Sequence, residues 1–182
     1  MKIAVYCSSA EGLAAEYYAA AEQFGRLLAS HGHSLVYGGY GKGVMAAVAA
    51  GVRAGGGAVT GVVPAVFDRE GFAFAGCTQV IHTQTMHQRK AAMEAQADAF
   101  AVLPGGVGTY DEFFEALDLK GLGLLPKPLA VLNTGGCYDA LAALLADGVR
   151  RGMIAPRNAA LAPMFATGGE LLAYLEQQAG RG

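Results

Sequence analysis

Short runs rich in Val, Ile and Leu recur along this chain, separated by longer Ala-rich segments whose apolar residues fall at helical spacing. Runs that are apolar on both faces suit the buried strands of a parallel sheet, and the segments between them can serve as its crossover helices. The expected class is therefore α/β: a mainly parallel sheet with helices on both faces, a three-layer sandwich. Strands are expected at Ile3–Cys7, Ser34–Tyr37, Val59–Val63, Gln79–Ile81, Ala99–Leu103 and Leu129–Leu132. Helices are expected near Ala14–Ser30, Gly43–Ala54, Met86–Ala97, Tyr110–Gly121, Tyr138–Arg151 and Glu170–Gln178. A length of 182 residues fits one domain over 1–182.

Charge and cysteine usage narrow the possible partners. With 13 Lys and Arg against 15 Asp and Glu, the chain has no basic surplus, so nucleic acid is not an expected partner. No apolar run approaches the ~18–20 residues of a membrane-spanning helix, so no membrane partner is expected. The stretch from Met1 to Cys7 is too short for the hydrophobic part of a signal peptide. Cys7, Cys77 and Cys137 are odd in number and far apart, which fits reduced thiols in a cytoplasm better than a disulfide frame or a zinc site. The histidines make no metal case either: His31 and His33 flank a helix-to-strand turn, and His82 and His87 do not share a helical face.

Two glycine-rich stretches stand out, Gly38-Gly39-Tyr40-Gly41-Lys42-Gly43 and Pro104-Gly105-Gly106-Val107-Gly108-Thr109. Each lies where an expected strand ends and a helix begins, the edge of a parallel sheet at which ligands bind. Free N–H groups at a helix start favour an anion such as phosphate. The first stretch is not a P-loop, since Val36 occupies the position of the first Gly and Gly43 that of the Ser or Thr. Nor is it a dinucleotide fingerprint, because Val44 stands where the third Gly belongs. Glycines here also serve tight turns for backbone reasons alone.

The second stretch continues into Tyr110-Asp111-Glu112. Thr109 and Glu112 have the spacing of a capping box, with Thr109 as the cap and the carboxylate at the third helical position, and that reading alone accounts for both. Gly105, Gly106 and Gly108 exceed what one helix start needs, which points to a ligand. Upstream, Met86-His87-Gln88-Arg89-Lys90 places two cations at the start of a helix, where they oppose its dipole unless an anion is near. The alternative is that both face solvent, with Arg89 paired to Glu94.

These residues resemble a known family. The segment from Pro104 to Glu112 reproduces P-G-G-x-G-T-x-x-E, and Met86 to Lys90 reproduces M-x-x-R-K, the two motifs of the Lonely Guy nucleoside 5′-monophosphate phosphoribohydrolases. Val36-Tyr37-Gly38-Gly39 with Gly43 and Met45, Gly61-Val62-Val63-Pro64 and Lys127-Pro128 extend the agreement over nearly the whole chain. The resemblance implies a Rossmann-like subunit, usually a homodimer, that hydrolyses the N-glycosidic bond of a purine nucleoside monophosphate. AMP and N6-substituted adenosine monophosphates, the cytokinin precursors, are the implied substrates, and no cofactor is implied. The family's catalytic Arg and Glu fall on Arg89 and Glu112. Its nucleotide-binding positions fall on Gly39, Met86, Lys90, Gly105, Gly106, Val107, Gly108, Thr109, Tyr110 and Asp111.

The chain also departs from the family. Tyr40 stands where a third Gly is usual, Ala46 replaces another Gly, and Asp118, Leu119, Gly121 and Leu125 replace Thr, Trp, Gln and His. Two other functions compete. Relatives of the fold carry nucleotides or the molybdenum cofactor without hydrolysing them. The family is also labelled lysine decarboxylase, a pyridoxal-phosphate activity, yet none of Lys2, Lys42, Lys90, Lys120 and Lys127 has a recognisable Schiff-base setting.

Overall fold

The computed structural model describes residues 1–67 and 71–180. Its strands are β1 (Lys2–Tyr6), β2 (Ser34–Tyr37), β3 (Val59–Pro64), β4 (Gln79–Thr83), β5 (Ala99–Val102), β6 (Leu129–Leu132) and β7 (Met164–Phe165). They form one parallel sheet in the order β4-β3-β2-β1-β5-β6-β7. The helices are α1 (Ala15–Ser30), α2 (Gly43–Ala54), α3 (Met86–Gln96), α4 (Val107–Gly121), α5 (Asp139–Arg150), the one-turn α6 (Pro156–Ala159) and α7 (Gly168–Ala179).

The first six strands are those the apolar runs predict, with ends shifted by a residue or two. The two-residue β7 was not expected, because it is too short to form a recognisable run. Alternation within each strand builds the layers. Ile3 and Val5 pack with Phe24 and Leu28 of α1, Val48 and Val52 of α2 and Leu171 and Leu175 of α7. Ala4 and Tyr6 point the other way, into a cluster with Met93 of α3, Phe113 and Leu117 of α4 and Leu141 and Leu145 of α5. Burial of both faces is why these strands read as unbroken apolar runs.

The strand order reverses beside β1: the chain winds outward through β2, β3 and β4, then returns to lay β5 on β1's other side. Register keeps the carboxyl ends level, since Val5 pairs with Tyr37 and Tyr6 with Val102. The loops after β1, β2 and β5 therefore splay apart over one crevice, the place where open parallel sheets bind ligands.

On the other side of the sheet α1 and α2 meet at glycines. A Cβ on Gly51 would lie 2.1 Å from the backbone oxygen of Glu22, which cannot swing away. Gly51→Ala is expected to cost about 1–3 kcal/mol in urea unfolding, as overpacking does. Gly169→Ala, at a position open to solvent, is the near-neutral control.

Candidate active site

The crevice is a cavity of about 500 Å³ over the carboxyl edge of the sheet, lined from the loops after β1, β2, β3 and β5 and the starts of α3 and α4. Thr85 caps α3 by accepting from the Gln88 N–H, and this sets the helix's first turn over β3. From that turn Arg89 reaches inward. Its Nε donates to the Val62 carbonyl at 3.2 Å and its Nη1 to Glu112 Oε1 at 2.8 Å, with both side chains under a tenth exposed. Gly38 makes room for this arrangement, because a Cβ there would fall 2.0 Å from Arg89 Nη2.

Two sequence expectations are corrected here. Thr109 and Glu112 do not form a capping box: α4 starts three residues earlier than its apolar pattern, with Gly106 as its N-cap and no side-chain cap. Glu112 is thus the sixth residue of the helix instead of the third, and its carboxylate is held by Arg89. The helix begins early because Gly106 and Gly108 carry no apolar signal yet adopt the turn. A capping box does form at Thr167 and Glu170 of α7. Arg89 likewise ignores Glu94 and solvent, since the buried carboxylate across the crevice is its partner.

Of the expected binding residues, Met86, Gly106, Val107, Gly108, Thr109 and Asp111 line the cavity, while Gly39, Lys90, Gly105 and Tyr110 do not. Gly105 leaves room for Thr109, whose Oγ1 would be 2.1 Å from a Cβ, and Tyr110 packs edge-on against Tyr138. Lys90 Nζ lies 3.0 Å from Asp111 and also pairs with Glu115, joining α3 to α4 outside the cavity. Cys7, Ser8, Ser9, Phe67 and Phe72 also line it. No motif marked them: they reach the crevice only because β1 and β3 end beside β2 and β5.

Comparison with known proteins places the chain among relatives. A family model described as possible lysine decarboxylase matches residues 45–175. The probable cytokinin riboside 5′-monophosphate phosphoribohydrolase LOGL5 of Oryza sativa subsp. japonica is 40% identical over 97% of this chain and 72% of its own length. The cytokinin riboside 5′-monophosphate phosphoribohydrolase LOG2 of Arabidopsis thaliana is 35% identical over 97% of this chain and 83% of its own. The chain belongs to the Lonely Guy family. The solved molybdenum cofactor carrier protein of Chlamydomonas reinhardtii superposes with a TM-score of 0.76 over 98% of each chain, and at 22% identity it shares the fold alone.

In this Lonely Guy protein the residues do not fit the decarboxylase description. None of the five lysines lines the cavity. Lys42 pairs with Glu11 on the surface, and Lys120 and Lys127 donate to backbone carbonyls, so among the described residues no lysine amine lines the crevice to hold a pyridoxal aldehyde. The thiol of Cys7 is pushed well up, by burial first and the Glu112 charge second, which leaves it a neutral group and a poor nucleophile. Glu112 is the buried carboxyl of the cavity wall. Burial pushes it above the ordinary carboxylate range, Arg89 draws it partly back, and Asp111 adds a smaller upward push.

The sequence spacing of the histidines gave no ligand set, yet the fold gathers His31, His33 and Glu176, with their ligating atoms within 4.8 Å of one another. His31 Nδ1 and His33 Nε2 lie 2.9 and 2.8 Å from the same Glu176 oxygen, and the Met1 ammonium lies 3.2 Å from His33 Nδ1. The cluster sits at the start of β2, across the sheet from the crevice.

The raised Glu112 makes a pH prediction with a definite sign. A carboxyl that holds its proton more tightly when folded contributes stability below its unfolded pKa and loses it as pH rises through the folded value. The wild type should therefore lose stability relative to Glu112→Gln as pH climbs out of the ordinary carboxylate range. Parallel denaturation series against pH measure this difference, and coincident profiles would contradict the assignment.

Proposed function

We propose that this chain, working as one domain over 1–182, hydrolyses the N-glycosidic bond of purine nucleoside 5′-monophosphates, AMP and N6-substituted adenosine monophosphates, to the free base and ribose 5-phosphate. The observation that carries the reading is the buried Arg89–Glu112 pair in the wall of a cavity whose other side is the uncapped N-terminus of α4. The first amides of α4, with the helix dipole behind them, suit the 5′-phosphate dianion. Phosphate binding there supplies energy remote from the reacting bond and sets C1′ against Glu112.

The bond to a purine breaks through an oxocarbenium-like state, which a carboxylate beside the ribose stabilises. As C1′–N9 breaks, its electron pair leaves with the base, a water oxygen bonds to C1′ and the water's proton passes to Glu112; the departing base takes a proton from solvent, and Glu112 returns its own to solvent. A carboxyl whose proton affinity is already raised suits that step. Arg89 holds Glu112 in place and draws it toward its ionised form, and Nη2 lies beside Gly38 at the cavity wall. A non-catalytic carrier of nucleotides or molybdenum cofactor is the competing reading. It leaves Glu112 unexplained, since an anion carrier gains nothing from a buried carboxylate at its site.

The reading extends to a homodimer in the cytoplasm. Val107, Leu122 and Leu124 are 84%, 65% and 69% exposed, apolar surface on and after α4 that a second subunit would cover. The three cysteines are free, as a reducing compartment requires.

Incubation with AMP, GMP, CMP and N6-isopentenyl AMP, with assay of free base and ribose 5-phosphate, tests the reaction. Glu112→Gln is expected to lower kcat by roughly 10²–10⁴ while keeping nucleotide affinity, and Arg89→Ala to weaken both. Release of no base from any monophosphate overturns the hydrolase. At micromolar concentration the mass in solution should be twice that of the subunit, and a monomer would contradict the dimer.

A further inference from the structure

Three aromatic rings on the cavity wall have no part in the reaction just described. Tyr40 follows β2, Phe67 ends the turn after β3, and Phe72 lies on the segment that leads back toward β4; all three line the crevice. Phe72 sits between the other two. Its ring centre is 4.5 Å from that of Tyr40, with 21° between the planes, and 5.5 Å from that of Phe67, with 6° between them. Backbone pairing holds the stack to the first glycine loop. The Gly41 N–H donates to the Phe72 carbonyl at 3.0 Å, the Phe74 N–H to the Gly39 carbonyl at 2.9 Å, and Tyr40 bridges Ala73 antiparallel.

None of the three rings belongs to either core cluster, and Phe67 is 43% exposed. Stacking on both sides engages the two faces of Phe72, so the π-faces left for whatever enters the cavity are the outer ones of the end rings, Tyr40 and Phe67. Their place in the sheet says what that is. The glycine loop of α4 follows β5, and Tyr40 follows β2, two positions away with β1 between them. At ~4.8 Å per strand the two loops stand roughly 10 Å apart. A nucleotide whose phosphate rests on α4 and whose C1′ faces Glu112 therefore points its base toward the aromatic side.

We propose that the Tyr40–Phe72–Phe67 stack is the base platform of this site, on which the purine ring of the substrate lies; this rests on the nucleotide reading above. Stacking reads the area of a ring more than its edges. The platform therefore favours purine over pyrimidine monophosphates and tolerates substituents on the exocyclic amine. Tyr40, at a position where the family resemblance places a glycine, joins the stack to the first glycine loop.

Titration calorimetry with AMP, CMP and ribose 5-phosphate, done in a Glu112→Gln background to prevent turnover, tests the platform. Phe67→Ala and Tyr40→Leu are expected to weaken AMP binding by roughly tenfold, as loss of a base–aromatic stack does. Ribose 5-phosphate, which lacks the base, should bind unchanged, and Phe67→Tyr should restore AMP. In the active enzyme the same variants should raise KM for AMP and spare kcat, a readout that does not depend on how well Glu112→Gln folds. Equal loss for AMP and ribose 5-phosphate, or no loss for either, overturns the proposal. Selective loss of AMP by a protein that releases no base from any monophosphate would sink the hydrolase and leave the platform standing. Base release with unaltered KM in both variants would do the reverse.

Discussion

A guanidinium and a carboxylate meeting at 2.8 Å inside the protein organise most of what surrounds them. Removing two charges from water is costly, and the attraction between them repays it only where geometry is good and other donors are satisfied. Here α3 and α4 deliver one partner each from opposite sides of the crevice, Val62 accepts from the arginine's Nε, and Gly38 clears its path. Such a pair is poor evidence of stability. It is better evidence of a site, because it keeps a carboxylate with raised proton affinity at the edge of a cavity.

The sheet supplies the rest of the geometry. With β1 between β2 and β5, the glycine loops after those two strands face each other across it, and α4 directs its uncapped end into the same space. α3 and α7 both carry a side-chain cap at the N-terminus, and α4 does not. The helix whose first amides face the crevice is thus one of those left open for an outside acceptor. The uncapped end of α4, the Glu112 carboxylate and the aromatic wall all border that one crevice at the carboxyl edge.

Much of this was legible in one dimension. Strands β1, β2, β3, β5 and β6 are mostly apolar on both faces, so each registers as a run whatever its neighbours, while β4, the edge strand, registers only through Val80 and Ile81. β7 and α6 lacked the length to register. Glycines blurred the start of α4, and with it the role of Glu112: at the third position a carboxylate reads as a cap, whereas at the sixth it points into the crevice. Thr109 and Glu112 could be read either way until the partner of that carboxylate was known, and the partner is 23 residues upstream on another helix.

Local pattern settled what depends on neighbours along the chain: the α/β class, the two glycine loops at strand ends, and the types of residue, Arg89 and Glu112, available for chemistry. Tertiary structure decided which of them meet. Lys90 turned outward to Asp111 and Glu115, Cys7 and Ser8 entered the cavity without any motif, and His31 and His33 found Glu176 at the far end of the chain. Strand order causes this division, since it is chosen by the packing of whole layers and leaves no trace in the spacing of any single segment.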